Sequence, residues 1–184
     1  MESLINQSIA AKSWKIDTNH TVISFRIKHL GLAEISGTFK EYEGSMKLGS
    51  DKLDGAEVYL KISTDSIETG NTMRDNHLKT ADFLDTSVFP DITFVSTGFT
   101  LKSGSLYDLT GNLTIKGNTQ PVKLQADFKG LTKDMWGNDV AVFNLKGSID
   151  RTTFGVEWFQ LLDGAIPVIG KEIHFDMNVE LIPE

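Results

Sequence analysis

Apolar and polar residues alternate along most of this 184-residue chain. In the clearest run, residues 122–130, Val122, Leu124, Ala126 and Phe128 alternate with lysine, glutamine and aspartate. Because successive side chains of a β-strand point to opposite faces, a period of two predicts a strand with one buried face. The pattern therefore predicts an all-β fold in which each strand buries one face.

Similar runs recur along the chain and are joined almost everywhere by short turns. We interpret them as about eight strands, formed by the nine runs at residues 14–17, 21–29, 35–48, 57–64, 91–96, 106–116, 122–130, 140–149 and 171–181. Short turns indicate antiparallel pairing, since parallel strands need a long crossover between them. A sandwich and a barrel both fit this pattern, but several runs of nine to eleven residues favour a tall, closed barrel.

The alternation is interrupted over a long stretch that ends just before the strand predicted at 91–96. Asn71 can cap a short helix there. Residues three and four apart share a helix face, so Arg74, His77 and Leu78 would lie together. We predict a short helical lid over one end of the barrel, at about residues 71–85, which we call the lid segment.

The length of the chain fits a single domain. We expect one barrel domain over residues 13–184, preceded by a loose N-terminal arm at 1–12. No run of about 18 apolar residues occurs, so no transmembrane segment is expected. The first dozen residues lack the basic and apolar regions of a signal peptide. We therefore expect a cytoplasmic protein if the chain is complete, and a periplasmic one if a leader has been trimmed.

Charge and cysteine content exclude several classes of function. The net charge is −7 and no basic stripe occurs, which argues against nucleic acid and against an anionic membrane surface as partners. The chain has no cysteine, so disulfides, thiol chemistry and thiolate-bound metal are excluded.

The residues that could carry chemistry do not form a recognisable catalytic pattern. The four histidines lack the close spacing of zinc ligands. No nucleophile elbow, phosphate loop or dinucleotide fingerprint occurs. We therefore expect no catalytic residue, no metal and no cofactor. Arg74 and Asp75 fit either an ion pair that locks the lid segment or a grip on the polar head of a ligand, and the sequence leaves both open.

The remaining feature is apolar volume. The interior of an eight-stranded barrel can be filled by side chains or can hold one small ligand. Small residues on the inward faces, namely Ala126, Ala141 and Gly147, favour an open interior.

A series of short motifs resembles the YceI-like proteins, a lipocalin-like family that binds polyisoprenoids. The motifs run in the order of that family from Trp14 to about Leu181. They are Trp14-x-Ile16-Asp17-x-x-His20, Phe25-x-Ile27-x-His29-Leu30, Gly37-Thr38-Phe39, Ser66-Ile67-x-Thr69-Gly70, Arg74-Asp75-x-His77-Leu78, Asp82-Phe83, Phe89-Pro90-x-Ile92-x-Phe94, Gly111-x-Leu113-Thr114-Ile115-x-Gly117 and Asp150-Arg151-x-x-Phe154-Gly155.

The resemblance implies an extended, eight-stranded, antiparallel, lipocalin-like barrel from a bacterium. It also implies an apolar pore for a long isoprenoid lipid, such as a polyprenyl quinone or its precursor, that is bound, transported or stored without chemical change. A homodimer is plausible by the same resemblance. Two alternatives stay open: an enzyme that acts on such a lipid with His77 or His29 as acid or base, and a binder of fatty acids or their amides.

The inward apolar positions are the expected pore lining, and the polar residues of the upper segments are the expected lid or head-group site. The pore-lining set is Ile23, Phe25, Ile27, Leu60, Ile62, Phe94, Leu124, Ala126, Phe128, Phe143, Leu145, Phe175 and Met177. The lid or head-group set is Arg74, Asp75, His77 and His29.

Overall fold

The computed structural model describes residues 11–184, which form thirteen strands and one α-helix. The strands are β1 (Ser13–Ile16), β2 (Val22–His29), β3 (Ala33–Phe39), β4 (Tyr42–Lys47), β5 (Glu57–Ser63), β6 (Ile67–Glu68), β7 (Asp91–Ser103), β8 (Leu106–Ile115), β9 (Asn118–Lys133), β10 (Asp139–Asp150), β11 (Leu161–Leu162), β12 (Ile166–Pro167) and β13 (Ile169–Pro183). The helix α1 is Thr72–Leu78, and two short 3-10 turns occupy Thr64–Ser66 and Arg151–Phe154.

The strands close into an antiparallel barrel. Three barrel strands are composite, because β1 and β2, β3 and β4, and β5 and β6 follow one another across short interruptions. The other five are β7, β8, β9, β10 and β13. Strand β13 pairs with β10 along one edge and with β1 and β2 along the other, which closes the ring. The predicted eight-stranded antiparallel barrel is therefore confirmed.

The barrel has two different ends. At the lower end lie the chain turns at residues 48–56, 104–105 and 134–138. At the upper end lie the hairpin at 30–32, the lid segment, the turn at 116–117 and the connection at 151–168. The two longest connections thus meet at the upper end, because barrel strands of an up-and-down sheet alternate in direction.

Several strand boundaries differ from the sequence prediction; β7, for example, continues to Ser103 instead of ending at residue 96. The run at 35–48 is interrupted at residues 40–41, where Lys40 N donates to Ser66 O at 3.1 Å and Ser63 N donates to Glu41 O at 2.9 Å. The connection between the predicted runs 106–116 and 122–130 is a turn of only two residues. Lys116 and Gly117 both have positive φ, of 49° and 74°, as a tight hairpin turn requires, so β9 begins directly at Asn118.

The predicted inward faces are the buried ones. On β9 the exposed fractions of Leu124, Ala126 and Phe128 are 8%, 0% and 6%. The lower third of the barrel is filled by aromatic rings. The rings of Phe99 and Tyr107 stack at 4.9 Å between centroids, and Phe143 packs against Phe99 and Phe128. This end is therefore largely packed, with a void of about 60 Å³ beside Phe99 and Phe143.

The inference that small inward residues open the interior is wrong at these positions. Ala126 and Ala141 are 0% exposed. A Cβ added at Gly147 would lie 2.4 Å from Cδ2 of Leu124. Larger neighbours across the sheet occupy the space that each small residue leaves, as expected for a close-packed interior.

The last residues of the predicted N-terminal arm lie against the barrel. Nε1 of Trp14 donates to Ala11 O at 3.0 Å, and Leu48 N donates to Lys12 O at 2.8 Å. The rest of the predicted arm, residues 1–10, lies outside the described residues. No helix within residues 11–184 is long and apolar enough to cross a membrane.

Candidate ligand-binding cavity

A cavity of about 430 Å³ occupies the upper end of the barrel, beneath the lid segment. Its wall is made almost entirely of aliphatic and aromatic side chains. Strand β2 contributes Phe25 and Ile27, and α1 and the residues after it contribute Leu78, Phe83 and Leu84. This volume falls within the range of about 300–1,000 Å³ that is usual for small-ligand sites.

Two smaller voids, of about 90 and 60 Å³, lie deeper in the barrel. Phe25, Phe39 and Phe175 line both the upper cavity and the larger of these voids. The ring centroids of Phe25 and Phe39 are 5.6 Å apart. Together with Ile92 and Ile115, which also line both spaces, these three rings form the floor of the upper cavity, and a ligand that reaches deeper must displace the rings.

The position of the Phe25 ring in the cavity floor depends on a glycine of the neighbouring strand. A Cβ at Gly37 would lie 2.5 Å from Cζ of Phe25 and 2.9 Å from Cγ2 of Thr69. The Phe25 ring therefore lies over the bare backbone of the neighbouring strand, an arrangement that helps pin register in curved sheets. Gly37 pairs with Phe25 in regular register.

The lid segment folds as its cap signal predicts. Oδ1 of Asn71 accepts from Arg74 N at 3.0 Å, and α1 continues to Leu78. Arg74, His77 and Leu78 share one helix face as expected, and all three line the cavity.

Arg74 and Asp75 do not form the ion pair considered from the sequence. Both bind Thr69 instead. Arg74 donates from Nε to Thr69 Oγ1 at 2.7 Å and from Nη2 to Thr69 O at 2.8 Å. Asp75 Oδ1 accepts from Thr69 N and Oγ1 at 2.9 and 2.5 Å. The side chains of adjacent helical residues point about 100° apart. Arg74 therefore lines the cavity, whereas Asp75 is not one of the residues within 11–184 that line it.

His77 completes an aromatic roof. Its ring packs edge-on against Phe83 and Trp158, with centroid distances of 5.0 and 5.8 Å. Its Nε2 lies 2.8 Å from Oδ2 of Asp82. His29, at the end of β2, lines the cavity on another side.

Arg151 is a cavity residue that the site prediction missed. It is 2% exposed. Its Nε, Nη1 and Nη2 donate to the backbone oxygens of Gly170, Val156 and Trp158 at 2.8, 2.5 and 2.9 Å. Burial lowers the pKa of Arg151 and the nearby Asp150 raises it, burial being the larger effect. An arginine nevertheless stays charged in a protein. The only sequence signal was its place in the Asp150-Arg151 motif.

The structure distributes the predicted pore-lining residues over several depths. Phe25, Ile27 and Phe175 line the upper cavity. Deeper, at the middle void, are Ile23, Leu60, Ile62, Phe94, Leu124, Leu145 and Met177. Phe143 lines the lowest void. Ala126 and Phe128 are buried in the core and line none of these three spaces among residues 11–184. Contact between these pore-lining residues and a ligand stays a prediction.

Sequence reasoning missed the cavity residues that lie in irregular segments. Phe83 and Leu84 belong to the lid segment, and Phe154, Val156 and Trp158 belong to the connection before β13. No period-two pattern marks these positions, so periodicity could not assign them a direction.

One cluster could hold a cation on donor type alone. Donor atoms of Asp17, His20 and Glu180 lie within 4.8 Å of one another. Nδ1 of His20 and Asn19 N are already bonded to the two oxygens of the Asp17 carboxylate, at 2.8 and 2.9 Å. The arrangement is explained by the turn between β1 and β2, and none of the three residues lines the upper cavity.

The family model of the YceI-like domain matches residues 14–181. The chain belongs to the YceI-like family. Protein YceI of Escherichia coli O6:H1 is 39% identical over 152 residues, which cover 82% of this chain and 79% of that protein. Protein YceI of Salmonella arizonae is 38% identical over 151 residues, which cover 81% of this chain and 78% of that protein.

Solved structures show the same YceI-like barrel. Burkholderia cenocepacia BcnA matches with a TM-score of 0.76 at 22% identity, over 90% of this chain and 98% of that one. The Campylobacter jejuni YceI protein matches with a TM-score of 0.73 at 28% identity, over 91% and 96%. A polyisoprenoid binding domain from Saccharophagus degradans, implicated in plant cell wall breakdown, matches with a TM-score of 0.71 at 13% identity, over 94% and 99%.

Proposed function

We propose that this protein binds the apolar chain of an isoprenoid lipid in its upper cavity and carries or stores that lipid unchanged. The observation that supports the proposal is the cavity itself, about 430 Å³ of space with an almost wholly apolar wall. Burying apolar surface in such a space gains about 25 cal/mol per Å². A polyprenyl quinone or its precursor is our candidate ligand, and the polyisoprenoid binding domain among the similar structures supports it.

The floor bears on the length of the tail. A chain that is longer than the upper cavity must pass Phe25, Phe39 and Phe175 to reach the void of about 90 Å³ below. These rings are held by packing and have no hydrogen bonds to break. Rotation of the floor would join the two spaces, so a long tail can enter by displacing side chains while the sheet stays intact.

The polar groups of the wall favour binding over catalysis. The only hydroxyl on the cavity wall among the described residues belongs to Thr69. Its Oγ1 donates to Asp75 and accepts from Arg74, so it is not free to act as a nucleophile. His77 is held by Asp82 at Nε2 and by aromatic packing, which accounts for its position without a reaction.

The proposal is tested by offering a long-chain polyprenyl quinone to the delipidated protein. Native mass spectrometry should show a complex with one lipid, and the lipid extracted afterwards should have its original mass. The test variant is Ile35→Phe, which replaces an isoleucine side chain on the cavity wall by a larger aromatic ring and should lower the fraction of protein that holds the lipid. Absence of a complex would reject the proposal. If the wild type converts the lipid and His77→Ala does not, the enzymatic alternative replaces this proposal.

A further inference from the structure

The connection before β13 contains a hairpin that is unusually apolar for a surface segment. Asp163 is the only charged residue between positions 159 and 170, although charged residues make up 23% of the chain. Four large apolar side chains of this stretch are exposed, and they belong to Phe159, Leu161, Leu162 and Ile166. We call residues 159–167 the rim hairpin, because Trp158 and Val168, which flank it, both line the upper cavity.

The tip of the rim hairpin is an ordered turn. Strands β11 and β12 pair with Leu162 opposite Ile166, and Ala165 N donates to Leu162 O at 3.1 Å. Asp163 and Gly164 both have positive φ, of 49° and 72°, which is the combination that a type I′ turn requires. The turn therefore holds the two strands, and the leucine side chains on them, in a fixed register.

Hydrogen bonds at the base fix the rim hairpin to the barrel. Val168 N donates to Gln160 O at 2.9 Å. Arg151 donates to the backbone oxygens of Trp158 and Gly170, one on each side of the hairpin, at 2.9 and 2.8 Å. Because the backbone of the hairpin is already ordered, its exposed side chains can bind a partner at a lower entropic cost.

Apolar side chains are exposed on both faces of the rim hairpin. Leu161 and Leu162 are 40% and 46% exposed, and they lie on opposite faces because successive strand residues alternate. Within residues 11–184, β11 and β12 pair with no other strand. A Cβ at Gly31 would lie 3.9 Å from Cγ2 of Ile166, and the following residue, Leu32, is 90% exposed. The exposed apolar surface thus extends from the rim hairpin to the turn at 30–32.

A lipid bilayer fits this surface better than a protein partner does. Stable protein interfaces use about 20–30 residues on each side. Here the surface consists of the four apolar side chains of the rim hairpin and that of Leu32, and they face different directions. A bilayer surrounds a segment that enters its interface, so it can cover both faces of the hairpin at once. The same segment continues at Trp158 and Val168 into the apolar wall of the cavity.

The charges around the rim hairpin indicate a neutral bilayer. No lysine or arginine lies between positions 159 and 170, and the whole chain has a net charge of −7. Docking on anionic lipids relies on clusters of basic residues near the surface. Lys28, on the strand before the turn at 30–32, forms an ion pair with Glu34 at 3.1 Å. Asp163 keeps the tip at the level of the head groups, because burying a carboxylate in hydrocarbon is costly.

We propose that the rim hairpin and Leu32 dock this protein on the surface of a neutral lipid bilayer, with the upper end of the barrel facing the membrane. The proposal rests on the proposed function, since docking would let an isoprenoid lipid pass between bilayer and cavity without exposing its tail to water. It adds to that function a partner, a zwitterionic lipid surface, and a direction of approach.

The test is flotation of the full chain with phosphatidylcholine vesicles. The protein should float with these vesicles, and less of it should float when part of the phosphatidylcholine is replaced by anionic phosphatidylglycerol. The rim double variant combines Leu161→Ser with Leu162→Ser. Its partition coefficient should fall at least about tenfold, because two leucine side chains lose their contact with lipid.

The opposite end of the barrel supplies the matched control. Met135 and Trp136 lie in the turn at 134–138 and are 85% and 76% exposed. The control double variant combines Met135→Ser with Trp136→Ser. It removes as many exposed apolar side chains as the rim double variant does, and it should leave flotation unchanged. Thermal unfolding of both double variants should match the wild type, because all four positions are exposed.

A fluorescent label reports the orientation of the bound protein. The chain has no cysteine, so Leu161→Cys and Trp136→Cys each provide one attachment site for an NBD fluorophore, whose emission increases in an apolar environment. The label at position 161 should brighten when phosphatidylcholine vesicles are added, whereas the label at position 136 should not.

Three results would overturn the docking surface. The first is equal flotation of the wild type and the rim double variant, or no flotation of either. The second is brightening at position 136 alone, which would place the docking surface at the lower end. The third is a dimer that sediments without vesicles and disappears in the rim double variant, which would identify a second copy of this chain as the partner. Stronger flotation with phosphatidylglycerol would overturn the neutral bilayer.

The proposed function is measured separately from docking. The rim double variant should still form the polyprenyl quinone complex in native mass spectrometry, because its two substitutions lie outside the residues that line the upper cavity within 11–184. Absence of that complex in the wild type, with flotation intact, would overturn lipid binding in the cavity and leave docking in place.

Discussion

Thr69 and Asp75 are joined by two hydrogen bonds to one carboxylate oxygen. The backbone N and Oγ1 of Thr69 donate to Asp75 Oδ1 at 2.9 and 2.5 Å. Oγ1 of Thr69 also accepts from Nε of Arg74 at 2.7 Å. Thr69 directly follows the third barrel strand, so this cluster attaches the lid segment to the barrel and sets the orientation of Arg74.

The first prediction concerns this attachment. Asp75→Asn should lower the free energy of unfolding by about 1–2 kcal/mol, because it weakens two charge-assisted hydrogen bonds in a half-buried place. For a chain of this size, that is a fall of a few degrees in the thermal midpoint. Asp51→Asn, in an exposed turn at the lower end, is the control. Equal midpoints for the two variants would show that Thr69 and Asp75 do not stabilise the lid segment.

The sequence predicted the barrel because its signals are local. Alternation along the strands reports which face is buried, and this held for Leu124, Ala126 and Phe128. The cap signal at Asn71 is also local, and it placed Arg74 and His77 on one helix face. Each of these statements depends only on neighbours within a few residues along the chain.

The depth of the cavity could not be predicted in this way. Whether Ala126 or Gly147 faces empty space depends on side chains from neighbouring strands, and Leu124 fills the space at Gly147. The partner of Asp75 was also missed, since nothing periodic marks Thr69. Arg151 lies after the last residue of β10, where its contacts with Val156, Trp158 and Gly170 are set by tertiary structure.

A second prediction concerns the floor of the cavity. Gly37→Ala places a Cβ 2.5 Å from the Phe25 ring, so the ring must shift. We expect a loss of stability of about 1–3 kcal/mol, typical of overpacking, together with altered lipid binding because Phe25 lines the cavity. Gly49→Ala is the matched control, since its Cβ would meet nothing within 4 Å. Urea unfolding and lipid titration of both variants measure the two effects.

A third prediction concerns pH and the pair formed by Asp17 and His20. Hydrogen bonding to Asp17 raises the pKa of His20 above 6.5, and the bond from His20 lowers the pKa of Asp17 below 3.8. The His20 contribution to stability is complete below pH 6.5 and is lost as pH rises through its raised pKa. The Asp17 contribution is complete above pH 3.8 and is lost as pH falls through its lowered pKa.

Thermal midpoints of the wild type and His20→Gln, measured between about pH 4 and pH 9, test this pair. The difference in midpoint should be largest between pH 3.8 and pH 6.5, the ordinary pKa values of Asp17 and His20, and should shrink on the alkaline side. Asp17→Asn should remove this dependence. If the difference in midpoint stays constant over the whole pH range, the protonation of His20 and Asp17 does not affect the stability that their hydrogen bond provides.

The last prediction contrasts two depths of the barrel. Ala126 is 0% exposed, pairs with Tyr107 and Leu145 on the adjacent strands, and does not line the upper cavity. Ala126→Phe should therefore lower the free energy of unfolding by about 1–3 kcal/mol, because the new ring has no space to enter.

Ile35→Phe adds volume to the wall of the upper cavity, where open space is available. It should leave the ligand-free protein near wild-type stability and should weaken lipid binding. Urea unfolding of both delipidated variants, beside a lipid titration, distinguishes the two positions. Ala126→Phe with unchanged stability and blocked lipid binding would place the tail below the floor, and would show that the three phenylalanine rings move aside when the ligand enters.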